Sequence, residues 1–440
     1  MKKRDPRFKP IILALLLLPL FLAAPSLAPK NPGLGDRLMD KAVISGRELR
    51  AALGRPIARL RLLAFRGGKP APIPFQIDER TPAGDYVMTR PGGKTDSDSD
   101  HGLLDANDEL VFMARDAGEP GDPASLSPSA RVEIRLRDPL SGAEGVVYLL
   151  AFDQMPPPLA KERYVTYTAK RDCDEVVTPY YTIRLPKNDV FIRDFIIHSA
   201  AGGNDKDIMD RIKMRSGVEM LGGAMSILRT EDDFVNEVLG VAAGPVRVIR
   251  QTSTRLNLIL SLKSPSAVVN GSFFEASFEF PSMLSLPFRM DMVASDASIR
   301  QGWDLNHNAL GMKFFSNLDP AGVLFDGKMD ADERKLAANP NNLYWALVTG
   351  APGTFLFRGV WDHRAPFRAR LYYEDDQTRS EPPEEEKGVM GFAYRLDDLL
   401  KMGGQKYSFN IENYVTPNFD GNVDRALRVF NHPLTIEVKG

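Results

Sequence analysis

Cysteine occurs once in the 440 residues, at Cys173, so no disulfide can close within the chain and stability must come from packing or bound ions. An excess of either charge is also missing. Fifty-six Lys and Arg stand against 58 Asp and Glu, a net charge of −2, which removes any general electrostatic attraction to nucleic acid or to an anionic membrane. The only long apolar run, residues 11–24, falls short of the about 20 residues that a helix needs to cross a hydrocarbon core. No Gly-x-Ser-x-Gly elbow occurs, and neither Gly202-Gly203 nor Gly222-Gly223 leads into the Lys-Ser/Thr of a phosphate loop. No repeat of 20–50 residues is visible, which argues against solenoids and propellers.

What is present at the N-terminus is an export pattern. Lys2, Lys3, Arg4, Arg7 and Lys9 precede the short apolar run, and cleavage after Ser26 fits best; left uncut, the segment would serve as an anchor. No cysteine lies nearby to make a lipoprotein. Residues 1–26 therefore read as a signal peptide, with the remainder periplasmic or extracellular and without an integral membrane span.

Further along, apolar and polar residues alternate, as in Val132, Ile134 and Leu136, in Phe274, Ala276, Phe278 and Phe280, and in Phe367, Ala369 and Leu371. Turn clusters such as Asp138-Pro-Leu-Ser-Gly142 separate them. The fold class is all-β and mainly antiparallel, as two β-sandwich domains with a few short helices. Helix signals are limited to Ser45-Gly-Arg-Glu48, which reads as a capping box, a polar stretch over residues 330–338 and a short turn over residues 396–402. The run Pro156-Pro157-Pro158 cannot donate ladder hydrogen bonds and marks a boundary, giving an N-terminal sandwich over residues 27–155 and a larger one over residues 156–440. Residues 375–388, rich in Glu and Pro, read as a mobile surface loop.

The densest chemistry lies in Asp96-Ser-Asp98-Ser-Asp100-His-Gly102-Leu-Leu-Asp105-Ala-Asn-Asp108-Glu109. Carboxylates at alternate positions followed by glycine suit a hard cation that collects six to eight oxygens, so Asp96, Asp98, Asp100, Asp105, Asp108 and Glu109 are candidate ligands for a structural Ca²⁺. Glycine arrives one place later than in an EF-hand, with His101 at the sharp turn. The competing reading is a solvated hairpin tip.

Pro72-Ile-Pro-Phe75-Gln-Ile-Asp78, followed by this loop and by Asp108-Glu-Leu-Val-Phe-Met113, resembles a β-sandwich module of exported bacterial proteins found with pectin and rhamnogalacturonan processing. The resemblance covers roughly residues 55–150 and implies a sandwich fold and a polysaccharide setting. Gly244-Pro-Val-Arg-Val-Ile-Arg250 and the aromatic strands after it are similar to the large sandwiches of polysaccharide lyases.

Two islands, Trp303-Asp304-Leu-Asn306-His307 and Trp361-Asp362-His363-Arg364, set an indole beside hydrogen-bonding and charged groups, as a cleft for an acidic sugar would. Trp303, Asp304, His307, Trp361, Asp362, His363 and Arg364 are thus candidate substrate-binding residues. The alternative is that each tryptophan is core. Met209, Met214, Met220 and Met225 lack a regular spacing and read as core filler, not as soft-metal ligands. Three functions follow: an exported protein that binds or helps process an acidic polysaccharide, a non-catalytic component of the cell envelope, or a lyase recruiting His307, His363, Arg364 and Tyr414.

Overall fold

Alternation produces strands wherever one face can be buried, and in the computed structural model Val132, Ile134 and Leu136 point into a core from the strand Ala130–Arg137. The structure describes residues 33–440 except 97, 260, 261 and 293, and the side chains of 258–263 are not described. The proposed signal peptide therefore lies outside the described residues. All strand pairs described are antiparallel, and they form five sheets. The all-β reading holds.

N-terminal residues supply a three-stranded sheet (Lys41–Ser45, Glu109–Met113, Gln76–Asp78) and most of a five-stranded one (Ala130–Arg137, Glu144–Ala151, Leu60–Arg66, Lys69–Pro72). The fifth strand of the latter is Thr435–Lys439, from the far end of the chain, with Ile436 opposite Leu136 and Val438 opposite Ile134. Pro156-Pro158 lies in a connection without strand structure between Ala151 and Thr166.

The larger part stacks a five-stranded sheet on an eleven-stranded one. The first orders Met225–Thr230, Met209–Met220, Asp296–Leu305, Val389–Asp397 and Arg368–Asp376; the second centres on Val248–Ile259, Ala267–Phe273, Gly403–Val415 and Gly353–Trp361. Aromatic rings from both inner faces interdigitate over one half of this sandwich. Trp303 meets Phe355 at 5.0 Å and Phe357 meets Phe392 at 5.4 Å, while Phe195, from the four-stranded sheet, closes the end at 5.3 Å from both Trp303 and Phe355.

Some local expectations change. Ser45-Gly-Arg-Glu48 forms no capping box: two 3₁₀ turns stand there, and the Ser45 hydroxyl donates to Ala106 O instead. The helix Ala331–Ala337 forms, and Asp330 and Glu333 make a capping box at its start. Residues 274–280 are not one strand but a buried turn leading into Ser277–Glu279. Phe274 is buried with Val111, Met113 and Val246, and Lys41 Nζ lies 4.4 Å from its ring centre. Residues 375–388 are pinned, not mobile, because Lys213 Nζ donates to the carbonyls of Glu381 and Pro383 and the Glu381 carboxylate meets Arg215 and Arg300.

In that buried turn Glu275 accepts from Arg115 at 2.6 Å while its other oxygen has no partner. Burial raises its pKa from 4.5 to about 7, outweighing Arg115. The folded state then holds a proton that the unfolded chain releases near 4.5, so the stabilisation is complete below that value and disappears as pH rises to 7. The shift corresponds to roughly 3 kcal/mol. Urea unfolding at pH 5 and pH 8 should show the wild type losing more stability across this window than Glu275→Gln; parallel profiles would refute the assignment.

Candidate functional site

The two sheets of the large sandwich part company beyond Trp303 and enclose a cavity of about 730 Å³. Its walls follow the period of two. Ile212, Met214, Ser216, Val218 and Met220 line it from one strand, and Ser282, Leu284, Leu286 and Phe288 from the strand facing it. Its lining runs from Asn413 to Leu286, which pairs with Gln405, a distance of about 26 Å along the strand at the usual rise per residue. The cavity is therefore elongated. Its floor is Asn413, Phe357 and Trp303, beyond which lies the packed aromatic half of the sandwich. At the other end apolar side chains reach solvent: Leu221, next to the lining residue Met220, is 79 % exposed, and Met292, in one turn with the lining residue Met290, is 74 % exposed.

A void of this size is not a packing defect. Interiors are filled to crystal-like density, and an apolar cavity excludes water while accepting an apolar guest. The volume falls within the roughly 300–1,000 Å³ of small-molecule sites. Among the described residues most of the wall is aliphatic, aromatic or methionine; Tyr394 packs on Phe357 with its hydroxyl accepting from Gly359 N, and Arg255 is the one cationic residue of the lining.

Both indoles of the sequence islands line this cavity, but their polar neighbours do not. Trp303 is 3 % exposed; Trp361, half-buried, meets Tyr394 edge-on at 5.0 Å. Asp304 turns the opposite way along its strand, with Oδ2 3.1 Å from Lys213 Nζ and Oδ1 accepting from Met390 N. Burial raises its pKa to about 7 in spite of Lys213. His307 is exposed and paired with Glu386 at 2.8 Å. Asp362 is closed into a turn by Arg364, whose hydrogen bonds hold its carboxyl well below the usual range, and His363 projects into solvent. The seven residues thus occupy four separate settings.

The six carboxylates of the acidic loop largely serve their own chain. Asp96 accepts from Arg90 Nε and Met88 N, Asp98 from Ser99 N, Asp105 from the amides of Asn107 and Asp108, and Asp108 from those of Arg80 and Asp105. Glu109 pairs with Arg80 and Arg247, and Asp100 supplies the carbonyl that accepts from Leu103 N. Among the described residues no three His, Cys, Asp or Glu side chains converge as a metal site.

The Pro-x-Pro-x-Gln-x-Asp motif is a clasp. Gln76 Oε1 accepts from the amides of Val246 and Arg247, its Nε2 donates to Arg247 O, and Asp78 takes two hydrogen bonds from the Arg247 guanidinium. Gly244 is required beside it, since a Cβ there would sit 2.0 Å from Gln76 Oε1.

Sequence reasoning treated Met214 and Met220 as core filler, yet both line the cavity; it gave no attention to Asn413. The signal was the alternation through Leu284, Leu286, Phe288 and Met290 facing that through Ile212 to Met220. Such a pattern marks inward faces without saying whether the space between them is filled.

By sequence the chain matches no protein-family model and no curated relative. Among solved structures it is similar to a proposed mutarotase from Salmonella typhimurium (8% identity, 57% of this chain and 94% of that one, TM-score 0.29). Others are a Synechocystis sp. PCC 6803 protein (8%, 61% and 100%, 0.31) and an α-mannosidase from Enterococcus faecalis V583 (9%, 93% and 47%, 0.38). Likeness at this level does not define a site. Among the described residues no helix is long and apolar enough to cross a membrane.

Proposed function

We propose that this chain is an exported, non-catalytic component of the bacterial cell envelope that binds a long apolar molecule, a lipid, between the sheets of its large sandwich. The observation that carries this reading is the elongated cavity of about 730 Å³ with its apolar walls and apolar rim. Burial of a chain there contributes about 0.8 kcal/mol per methylene, enough for micromolar or tighter binding after the cost of association. A sugar, by contrast, needs converging hydroxyl partners, and Asp304, His307, Asp362, His363 and Arg364 face elsewhere.

The test uses residues 27–440 purified from the periplasm. N-phenyl-1-naphthylamine, whose fluorescence rises in apolar surroundings, should bind saturably and be displaced by long-chain lipids, and solvent extraction followed by mass spectrometry should recover a co-purified lipid. The same protein on an array of acidic glycans tests the polysaccharide reading. Glycan binding without probe binding would reverse the order of the two.

A further inference from the structure

Asn413 stands out at the floor of the cavity. It is 1 % exposed, it shares its cavity-facing side with Phe409 and Ile411, and it sits between Phe278 and Phe357 on the neighbouring strands. Neither its amide nitrogen nor its amide oxygen has a hydrogen-bond partner. An orphaned donor and acceptor in such surroundings cost free energy that an apolar residue of similar size would not. Among the described residues Thr254, nearer the mouth, contributes the other orphaned polar atom of the lining, a single hydroxyl oxygen.

From this we infer that the ligand enters polar end first and places a neutral hydroxyl on Asn413, with its apolar body extending toward the rim. This rests on the lipid reading of the cavity and adds the class of lipid. The carboxamide presents one donor direction and one acceptor direction toward the cavity, and a hydroxyl satisfies both at once, accepting from Nδ2 and donating to Oδ1. An ether or ester satisfies only the nitrogen. A carboxylate at the floor is disfavoured, because among the described residues the one cation of the lining, Arg255, lies up the wall beside Thr254 and not at Asn413, and a buried unpaired charge is far more costly than a buried hydroxyl. The preferred ligands are therefore long-chain or isoprenoid alcohols, not fatty acids.

Displacement of N-phenyl-1-naphthylamine by hexadecanol, hexadecyl methyl ether and hexadecanoate, each against wild type and Asn413→Leu, tests this. The wild type should prefer the alcohol to the ether by about tenfold or more, the value of one well-made buried hydrogen bond, and should bind the carboxylate least. In Asn413→Leu the alcohol and ether should become equivalent, and the ligand-free variant should melt no lower than wild type. Should Asn413→Leu fail to fold, the wild-type ranking still decides. Equal affinity for alcohol and ether in the wild type, tightest binding of the carboxylate, or an unchanged ranking in a folded variant would overturn the inference while leaving the cavity reading intact. Absence of probe binding in the wild type would overturn both.

Discussion

Arg247→Leu is expected to lose about 3–5 kcal/mol of folding stability, the usual result of removing one partner from a buried charge cluster. Arg247 is 3 % exposed and reaches Asp78 and Glu109, each at 2.5 Å. Leucine would leave the Asp78 carboxylate, 7 % exposed, with only the Gln76 amide beside it. Glu109 would keep Arg80 and Tyr86, so the loss falls mainly on Asp78. Burial already raises the pKa of Asp78 against the pull of Arg247. Without that guanidinium it rises further, so the folded variant takes up a proton that the unfolded chain does not hold. The deficit relative to wild type should consequently be largest above neutral pH and shrink toward pH 5. Urea unfolding of both proteins at pH 5 and pH 8 measures this. A deficit below about 1 kcal/mol, typical of a surface pair, would show that the clasp does not hold the N-terminal sheet in place.

Ser216→Phe is expected to abolish binding of an apolar probe while leaving the fold intact or more stable. Ser216 lies midway along the cavity wall between Met214 and Val218, is 6 % exposed, and projects a small side chain where the space is empty. Phenylalanine suits a strand and would place its ring across the channel. The ring would gain apolar contacts that serine lacks, which is how filling a void stabilises a protein. Affinity for N-phenyl-1-naphthylamine should fall at least tenfold and the melting temperature should not fall. Unchanged probe binding with a rise in melting temperature would place the probe elsewhere. A fall in melting temperature would mean that the space is already occupied by protein atoms.

The sequence and the structure agree most where one strand's alternation is enough. Val132, Ile134 and Leu136 gave a half-buried strand because a side-chain period of two is set by local backbone geometry. The polar stretch over residues 330–338 likewise gave a helix, whose Asp330/Glu333 capping box in the structure rests on hydrogen bonds that span only three residues. Agreement ends at Ser45-Gly-Arg-Glu48, where the serine hydroxyl finds Ala106, 61 residues away, before it can cap anything. The acidic loop also makes contacts with distant residues. Its spacing suits a cation, and Arg90, Arg80 and Arg247 and the loop's own amides also reach several of the carboxylates, contacts that no spacing of residues announces.

What the sequence alone determined is the secondary-structure class, through alternation and turn residues, because each depends on neighbours a few positions apart. Tertiary structure decided the rest. Trp303 and Trp361 each looked like a sugar platform beside polar groups, but Asp304 faces the opposite side of its strand and Asp362 lies in the turn after Trp361, so the indoles went to the cavity while the carboxylates went elsewhere. Asn413 becomes informative only once Phe278 and Phe357 are known to flank it and nothing is found to bond it. Whether two inward faces meet or leave a channel between them depends on the separation of strands far apart in the chain, here Met209–Met220 and Ser282–Arg289, and that separation is a property of the packed sheets, not of any one segment of the chain.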